Sequence, residues 1–398
     1  MKKVILSVLL ICCLSCFAQK TNTQPYLVVL SMDGFRWDYV DSFPTPNLHS
    51  IIKKGVSAKS AIPSFPTVTF PNHYTMATGL YPDHHGIINN NFYDSELGVY
   101  KMSDNSKASD GRFYGGEPIW VSARMQGYTT ANYFWPGSEA EIKGMRPNYW
   151  KKFNTKDTYQ QRIDTVIHWL SLPEASRPHL VMFYFDDPDH LTHSVGPFGS
   201  EVRNMVMYLD SMVGQLLSKI QTLPIGQQVN IMFVSDHGME AVSETRTVEL
   251  DKYIRKDWCD KINGHNYLIT INPKQGYSDS ILNGLALAPH LKVWRKKDLP
   301  ERFHYGSNAR IGDIVLLADS AYSMTWPDYK LTVRGNHGYD NLNTNMHGIF
   351  YAIGPAFKTD YLQPAFENVN LYELMAKILK IIPAKNDGNI DAVKGMLK

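Results

Sequence analysis

The 398-residue chain is poor in cysteine: it has 4, and Cys12, Cys13 and Cys16 all stand near the N-terminus. Cleavage after Ala18 would leave Cys259 alone. That excludes an intrachain disulfide and leaves any metal site to histidines and carboxylates. An excess of one charge is also missing: the formal net charge is +2, with no basic tract, so no nucleic acid is expected as a stable partner. No segment after the N-terminal run is apolar for long enough to cross a membrane, and there is no internal repeat or low-complexity linker. What remains is 43% hydrophobic, 20% charged and 12% aromatic. This suits a globular chain with a substantial core, and the aromatic content suggests an aromatic-lined cleft, although core packing accounts for most such side chains.

The first residues read "MKKVILSVLLICCLSCFAQK". Two lysines precede the apolar run Val4 to Leu14, and Cys16-Phe17-Ala18 offers a small-x-small cleavage site. The pattern is that of a secretory signal peptide over residues 1–18, so the mature chain is expected outside the cytoplasm, periplasmic or extracellular. "LSC" ending at Cys16 also resembles a bacterial lipobox, with Cys13 where an aliphatic residue is usual. Lipid attachment at Cys16 is the alternative.

From residue 24 onward, strand-like runs alternate with helical ones. "YLVVLSMDG", "YTTANYF", "HLVMFYFDDPDH", "VNIMFVSDHGM" and "GIFYAIGPAF" have strand character; "NLHSIIKKG", "TYQQRIDTVIHWL", "SEVRNMVMYLDSMVGQLLSKI" and "NLYELMAKILKII" have helical spacing. Near-continuous apolar strands alternating with amphipathic helices imply an α/β fold with a mainly parallel central sheet covered on both faces. Residues from about 252 to 329 have weaker periodicity and many Lys, Asp, Gly and Pro, which suggests a small inserted subdomain within one catalytic domain spanning 24–398.

Three of the strands end in carboxylates: Asp33, then Asp187 and Asp189, then Asp236. One acidic strand end is commonplace, since aspartate caps helices and makes turns. Three are not, because the C-terminal strand ends of open α/β sheets form the ligand crevice. "DHLTH" (Asp189 to His193) and Asp236-His237 bring oxygen and imidazole together, a donor set that suits zinc, and "GNHGYD" adds His337 between glycines. Counting the hydroxyl of Thr69, seven groups would fill two four-coordinate sites and leave one position for substrate. Thr69 lies just before a helix expected to start near Asn72. A free threonine hydroxyl is a poor nucleophile near neutral pH, but zinc lowers a hydroxyl's pKa by several units. The helix N-terminus would favour an anion held beside it. Together these features describe a phosphoryl-transfer site.

"DGFR", "PTVTFPNHYTMATGLYPDHHGI", "PDHLTHSVGP", "SDHGM" and "GNHGYDN" stand in this order along the chain, which resembles the nucleotide pyrophosphatase/phosphodiesterase family of the alkaline phosphatase superfamily. The resemblance implies an alkaline phosphatase-like three-layer sandwich with two Zn2+ per chain. It assigns one zinc to Asp33, Thr69, Asp236 and His237, and the other to Asp189, His193 and His337. It makes Thr69 the nucleophile that is transiently phosphorylated, and Asn90 the donor to a non-bridging phosphate oxygen. Phe70 and Phe153 fall where family members sandwich a nucleobase, and Trp135 is a further aromatic candidate for substrate contact.

Blander roles fall to the neighbours: Thr67 is expected as a turn residue, His73, His84, His85 and His347 as structural or supporting histidines, and Asp187 and Asp340 as supporting or turn carboxylates. A purely structural zinc is disfavoured because such sites are closed and usually cysteine-rich. The residue after Thr69 is Phe70, not the arginine with which monoesterases of the superfamily hold a dianion. Base stacking tolerates any base and is worth roughly 1–3 kcal/mol. The expected activity is therefore hydrolysis of nucleotide diesters or phosphoanhydrides to nucleoside 5′-monophosphates. A choline-type phospholipid phosphodiesterase of the same fold is the alternative, since an aromatic cage would suit a quaternary ammonium. A catalytically dead zinc protein would predict a damaged nucleophile or ligand, and a sulfatase would need a cysteine or serine in place of Thr69.

Overall fold

A computed structural model describes residues 24–328 and 330–398; the signal peptide expected over residues 1–18, with Cys16, lies outside them. Twelve strands carry the architecture. They are β1 Tyr26–Met32, β2 Val56–Ala58, β3 Thr130–Tyr133, β4 Tyr149–Lys151, β5 Leu180–Phe185, β6 Val229–Val234, β7 Cys259–His265, β8 Leu268–Pro273, β9 Leu291–Arg295, β10 Ile314–Ala318, β11 Phe350–Ile353 and β12 Tyr361–Gln363. The main sheet runs in the order β12-β2-β11-β6-β1-β5-β3-β4. Its centre is parallel, β1 pairing with β5 on one side and β6 on the other, whereas β11 runs antiparallel to both β6 and β2.

The burial of β1 along its whole length follows from hydrogen-bonded neighbours on both edges and helices on both faces. Its alternation divides two cores. Leu27 and Val29 pack with Met76 and Ala77 of α2 (Thr69–Thr78) and with Leu371 and Met375 of α6 (Leu371–Leu379). Val28 and Leu30 pack with Leu48 of α1 (Pro46–Lys54), Ile163 of α3 (Tyr159–Leu170) and Val206 of α5 (Ser200–Gln221). The result is the expected three layers. A capping box, Thr158 with Gln161, opens α3.

Between β6 and β11 the chain builds a second, antiparallel sheet in the order β7-β8-β10-β9. Leu268, Ile271 and Leu316 of this sheet join the same hydrophobic cluster as Leu27 and Val29, so it packs onto the main body through shared apolar contacts.

One local expectation is corrected. The helix does not start near Asn72 but at Thr69, after an extended Val68. Pro71 is no obstacle in a first turn, where its missing N–H would have no intrahelical partner. The Asn72 amide donates to the carbonyls of Pro66 and Val68 and accepts from the Ser64 N–H, fixing the entry of the chain. Thr69 is therefore in the first turn of α2 itself.

Candidate active site

The parallel register of β1, β5 and β6 sets the three acidic strand ends side by side at the C-terminal edge of the sheet. Asp33 follows β1. Asp189 opens the short helix α4 (Asp189–Val195), which begins just after β5, and Asp236 and His237 follow β6. Gly34 allows this crowding: its φ is +62°, and a Cβ there would lie 2.8 Å from the Cβ of Asp189. The N–H of Gly34 donates to Asp236 Oδ1 at 3.2 Å, and that of Asp189 donates to the Asp33 carbonyl at 3.0 Å.

Two groups of donors result. His237 Nε2 lies 3.3 Å from Asp33 Oδ1, 3.1 Å from Asp236 Oδ2 and 3.2 Å from Thr69 Oγ1. Beside it, Asp189 Oδ2 is 3.3 Å from His193 Nε2, and Asp189 Oδ1 is 3.5 Å from His337 Nε2. The rings of His237 and His337 stack, with centroids 3.6 Å apart, and join the groups. All seven expected metal ligands are therefore brought together. The Asp33–Asp236–His237 end is buried, while the His193 side chain retains 32% exposure and marks the open side.

The histidines sort themselves by their second nitrogen. Nδ1 of His193, His237 and His337 each faces a backbone carbonyl, those of Gly335 at 2.9 Å, Gly238 at 2.8 Å and Thr67 at 3.0 Å. A proton on Nδ1 serves that contact and leaves the Nε2 lone pair aimed into the cluster, the arrangement of a metal-bound imidazole. His73 comes as near to Asp33 and Asp236 as a ligand would. Both of its nitrogens are engaged, however, Nε2 by Ser31 Oγ at 2.8 Å and Nδ1 by the Thr69 carbonyl at 2.9 Å. His347 is engaged at both nitrogens by Ser60 and Asn341, and His85 by Thr75 and the Ile87 N–H. His84 faces Asp387 at the surface.

The electrostatics fit a cation. Asp33 Oδ1, Asp189 Oδ1 and Asp236 Oδ2 are buried without a hydrogen-bond partner, and histidines are the only ion-pair partners of these carboxylates among the described residues. Burial, followed by the charges of Asp236 and Asp189, pushes the Asp33 carboxyl well above its usual range. Burial works in the same direction on Asp189, but His193, His337 and His237 outweigh it and hold the carboxyl down. Burial likewise opposes the charge on His193, yet Asp189 raises the imidazole to about 9. Burial and His237 push His337 down to about 3. Such crowding of buried carboxylates and imidazoles calls for positive charge from outside the chain.

Around the cluster, the Thr67 hydroxyl donates to the Tyr339 carbonyl and accepts from the Gly338 N–H, clamping the His337 loop. Asn90 Oδ1 accepts from the Phe70 N–H at 2.9 Å, so its Nδ2 is the end left to donate. Phe153 is 37% exposed, and its ring lies 6.0 Å from that of Tyr184. Phe70, 8% exposed, meets Tyr100 edge-on at 6.5 Å. Asp187 accepts from the Tyr159 hydroxyl, and Asp340 pairs with Arg302.

Trp135 is a correction. It is fully buried, its indole N–H donates to the His73 carbonyl at 2.9 Å, and its ring packs edge-on to His73. No face of it is presented to a ligand; it supports α2 from beneath. Two supporting residues carry no sequence signal. The Tyr184 hydroxyl donates to Asp33 Oδ2 at 2.5 Å, and Glu139 Oε1 accepts from the Phe153 N–H at 2.9 Å. Nothing in a buried strand or a loop marks such partners before the fold is known.

Comparison with known proteins follows the same line. The family described as type I phosphodiesterase/nucleotide pyrophosphatase matches residues 27–340. Human ectonucleotide pyrophosphatase/phosphodiesterase family member 5 is 34% identical over 383 residues, covering 96% of this chain and 80% of its own. Venom phosphodiesterase 2 of Crotalus adamanteus is 36% identical over 392 residues, covering 94% of this chain and 48% of its own. The chain thus spans about half the length of the venom relatives it matches. The solved structure of murine ectonucleotide pyrophosphatase/phosphodiesterase 5 superimposes with a TM-score of 0.90 at 33% identity, covering 94% of this chain and 100% of that one. An inactive variant of the murine protein, solved in complex with AMP, also has a TM-score of 0.90. By sequence over most of its length and by fold, the chain belongs to the type I phosphodiesterase/nucleotide pyrophosphatase family.

Proposed function

We propose that this protein is a di-zinc hydrolase that cleaves nucleotide phosphodiester or phosphoanhydride bonds and releases nucleoside 5′-monophosphates through a phosphothreonine at Thr69. The observation that carries this reading is the Thr69 hydroxyl in the first turn of α2, 3.2 Å from His237 Nε2, beside buried carboxylate oxygens without a hydrogen-bond partner. One zinc would be held by Asp33, Thr69, Asp236 and His237, the other by Asp189, His193 and His337. When bound, the two ions acidify the hydroxyl and offset the charge that develops on the phosphoryl oxygens.

Thr69 Oγ1 forms a bond to phosphorus as the bond to the leaving oxygen breaks, and the leaving group departs with that electron pair and the hydroxyl proton. Water then cleaves the Oγ1–P bond, restoring the hydroxyl and releasing the monophosphate. Asn90, oriented by the Phe70 N–H, donates through Nδ2 to a non-bridging oxygen. The N-terminus of α2 adds its partial positive charge at the same end. Phe70 and the exposed ring of Phe153 receive the base. The AMP complex of the murine relative supports the nucleotide. The relatives' names favour this reading over the choline diester. They also support a working place outside the cytoplasm, and no helix among the described residues is long and apolar enough to cross a membrane.

The test is the rate on p-nitrophenyl thymidine 5′-monophosphate beside bis- and mono-p-nitrophenyl phosphate and a choline phosphodiester. Preference for the nucleotide ester is expected. Preference for the monoester would sink the diesterase reading, and preference for the choline ester would replace the substrate.

A further inference from the structure

At the edge of the main sheet opposite the donor cluster lies a patch that the phosphoryl-transfer chemistry does not use. β1 runs from Tyr26 at this edge to Met32 beside the cluster, and its 7 residues set the two ends roughly 20 Å apart. Here two large apolar side chains are left in solvent, Met125 at 59% exposure and Ile382 at 79%. They come from segments far apart in sequence. Met125 closes a short helix (Ile119–Met125) before β3, and Ile382 lies in the turn after α6. A reciprocal pair of hydrogen bonds ties the two segments. Gln126 Nε2 donates to the Ile382 carbonyl at 2.8 Å, and its Oε1 accepts from the Ile382 N–H at 2.8 Å. The Tyr128 hydroxyl adds a third tie, donating to the Leu379 carbonyl at 2.5 Å. Exposed apolar side chains fixed in this way cannot fold back onto the core, and they mark a surface that meets something.

The charge around them has one sign. Lys377, Lys380 and Lys385 are exposed, and their side chains make no hydrogen bond or ion pair with the described residues. The neighbouring carboxylates are already engaged: Glu373 accepts from the Asn386 amide at 2.7 Å, and Asp387 accepts from the Tyr81 N–H and pairs with His84. Lys380 also lines a cavity with Gln24 and Pro25, so the described chain begins at this same edge. A lipid on Cys16 would lie within about 30 Å of it, the full extension of the residues between. Apolar side chains ringed by unpaired lysines are complementary to a surface that is apolar beneath and anionic on top.

We propose that this edge docks on an anionic lipid bilayer. Met125 and Ile382 enter the headgroup layer, Lys377, Lys380 and Lys385 meet lipid phosphates, and the donor cluster faces away into solution. The docking is peripheral, since no helix among the described residues is long and apolar enough to span. It does not depend on the chemistry proposed for Thr69.

The test is co-sedimentation of the chain that follows Ala18 with vesicles of phosphatidylcholine alone and of equal parts phosphatidylcholine and phosphatidylglycerol. Binding to the anionic vesicles is expected, with release by salt. Lys380→Gln and Lys385→Gln should each lower the partition coefficient about fivefold, and Met125→Ser with Ile382→Ser on the order of tenfold. All variants should keep the wild-type Tm and the wild-type rate on p-nitrophenyl thymidine 5′-monophosphate. No sedimentation with either vesicle, equal sedimentation with both, or variants that bind like the wild type would overturn the docking. A dimer in solution that Met125→Ser with Ile382→Ser dissociates would overturn it too, by giving the patch to a second copy of the chain. A wild type that binds anionic vesicles yet hydrolyses no nucleotide ester would leave the docking standing and overturn only the proposed function.

Discussion

Asn90 illustrates how a side chain gains a role through one hydrogen bond. Its carbonyl end is occupied by the Phe70 N–H, which would leave the Nδ2 amide free to donate to the phosphoryl group. Asn90→Ala should therefore lower kcat by roughly 10²–10³-fold, as loss of an oxyanion donor does; an unchanged kcat would remove it from the site. The aspartates and histidines of the proposed metal site stand out in the sequence as residue types, because carboxylates at the ends of apolar strands are few and imidazoles beside them fewer. Which histidines would ligate is less legible. His73 and His237 both approach Asp33 and Asp236, and only the contacts of their second nitrogens separate them. Trp135 departs from the expectation for a related reason: an aromatic residue in a loop sequence does not say whether it faces a ligand or the core.

At the scale of elements, the site depends on loops that bring backbone close to backbone. Gly338 has φ +103°, and a Cβ there would run into the ring of Tyr267, which in turn lies 6.2 Å from His337. Gly338→Ala should cost about 1–3 kcal/mol through the strained backbone and shift the His337 loop, so zinc content should fall with thermal stability. Full zinc occupancy in a folded Gly338→Ala protein would contradict this. The main strands and long helices were legible from periodicity. The start of α2 was not, because Pro71 reads as a breaker unless the helix is already known to begin two residues earlier. The antiparallel run of β11 was hidden too, since an apolar strand looks the same in either direction.

At the scale of the molecule, two cores flank one sheet, and the cluster sits at the edge where three central strands end. Removing metal should leave buried carboxylates facing one another without compensation, so chelation is expected to lower Tm by several degrees and zinc to restore it, since a ligand bound only by the folded state stabilises it. Calorimetry with and without a chelator checks this; an unchanged Tm would mean that the cluster holds no tightly bound metal. The overall α/β class was visible in the alternation of apolar strands and amphipathic helices. How the second sheet shares the main core was not, because that contact is made by residues far apart in sequence.

Attack by Thr69 on the phosphorus of a nucleotide ester is the step on which the proposed function turns. It is tested most directly by measuring p-nitrophenyl thymidine 5′-monophosphate hydrolysis and zinc content on the same samples of wild type and Thr69→Ala. Turnover is expected in the wild type, and its loss is expected in Thr69→Ala with zinc still bound, because Asp33, Asp236 and His237 would remain to hold the ion. Retained turnover in Thr69→Ala would contradict it and pass the attack to another nucleophile.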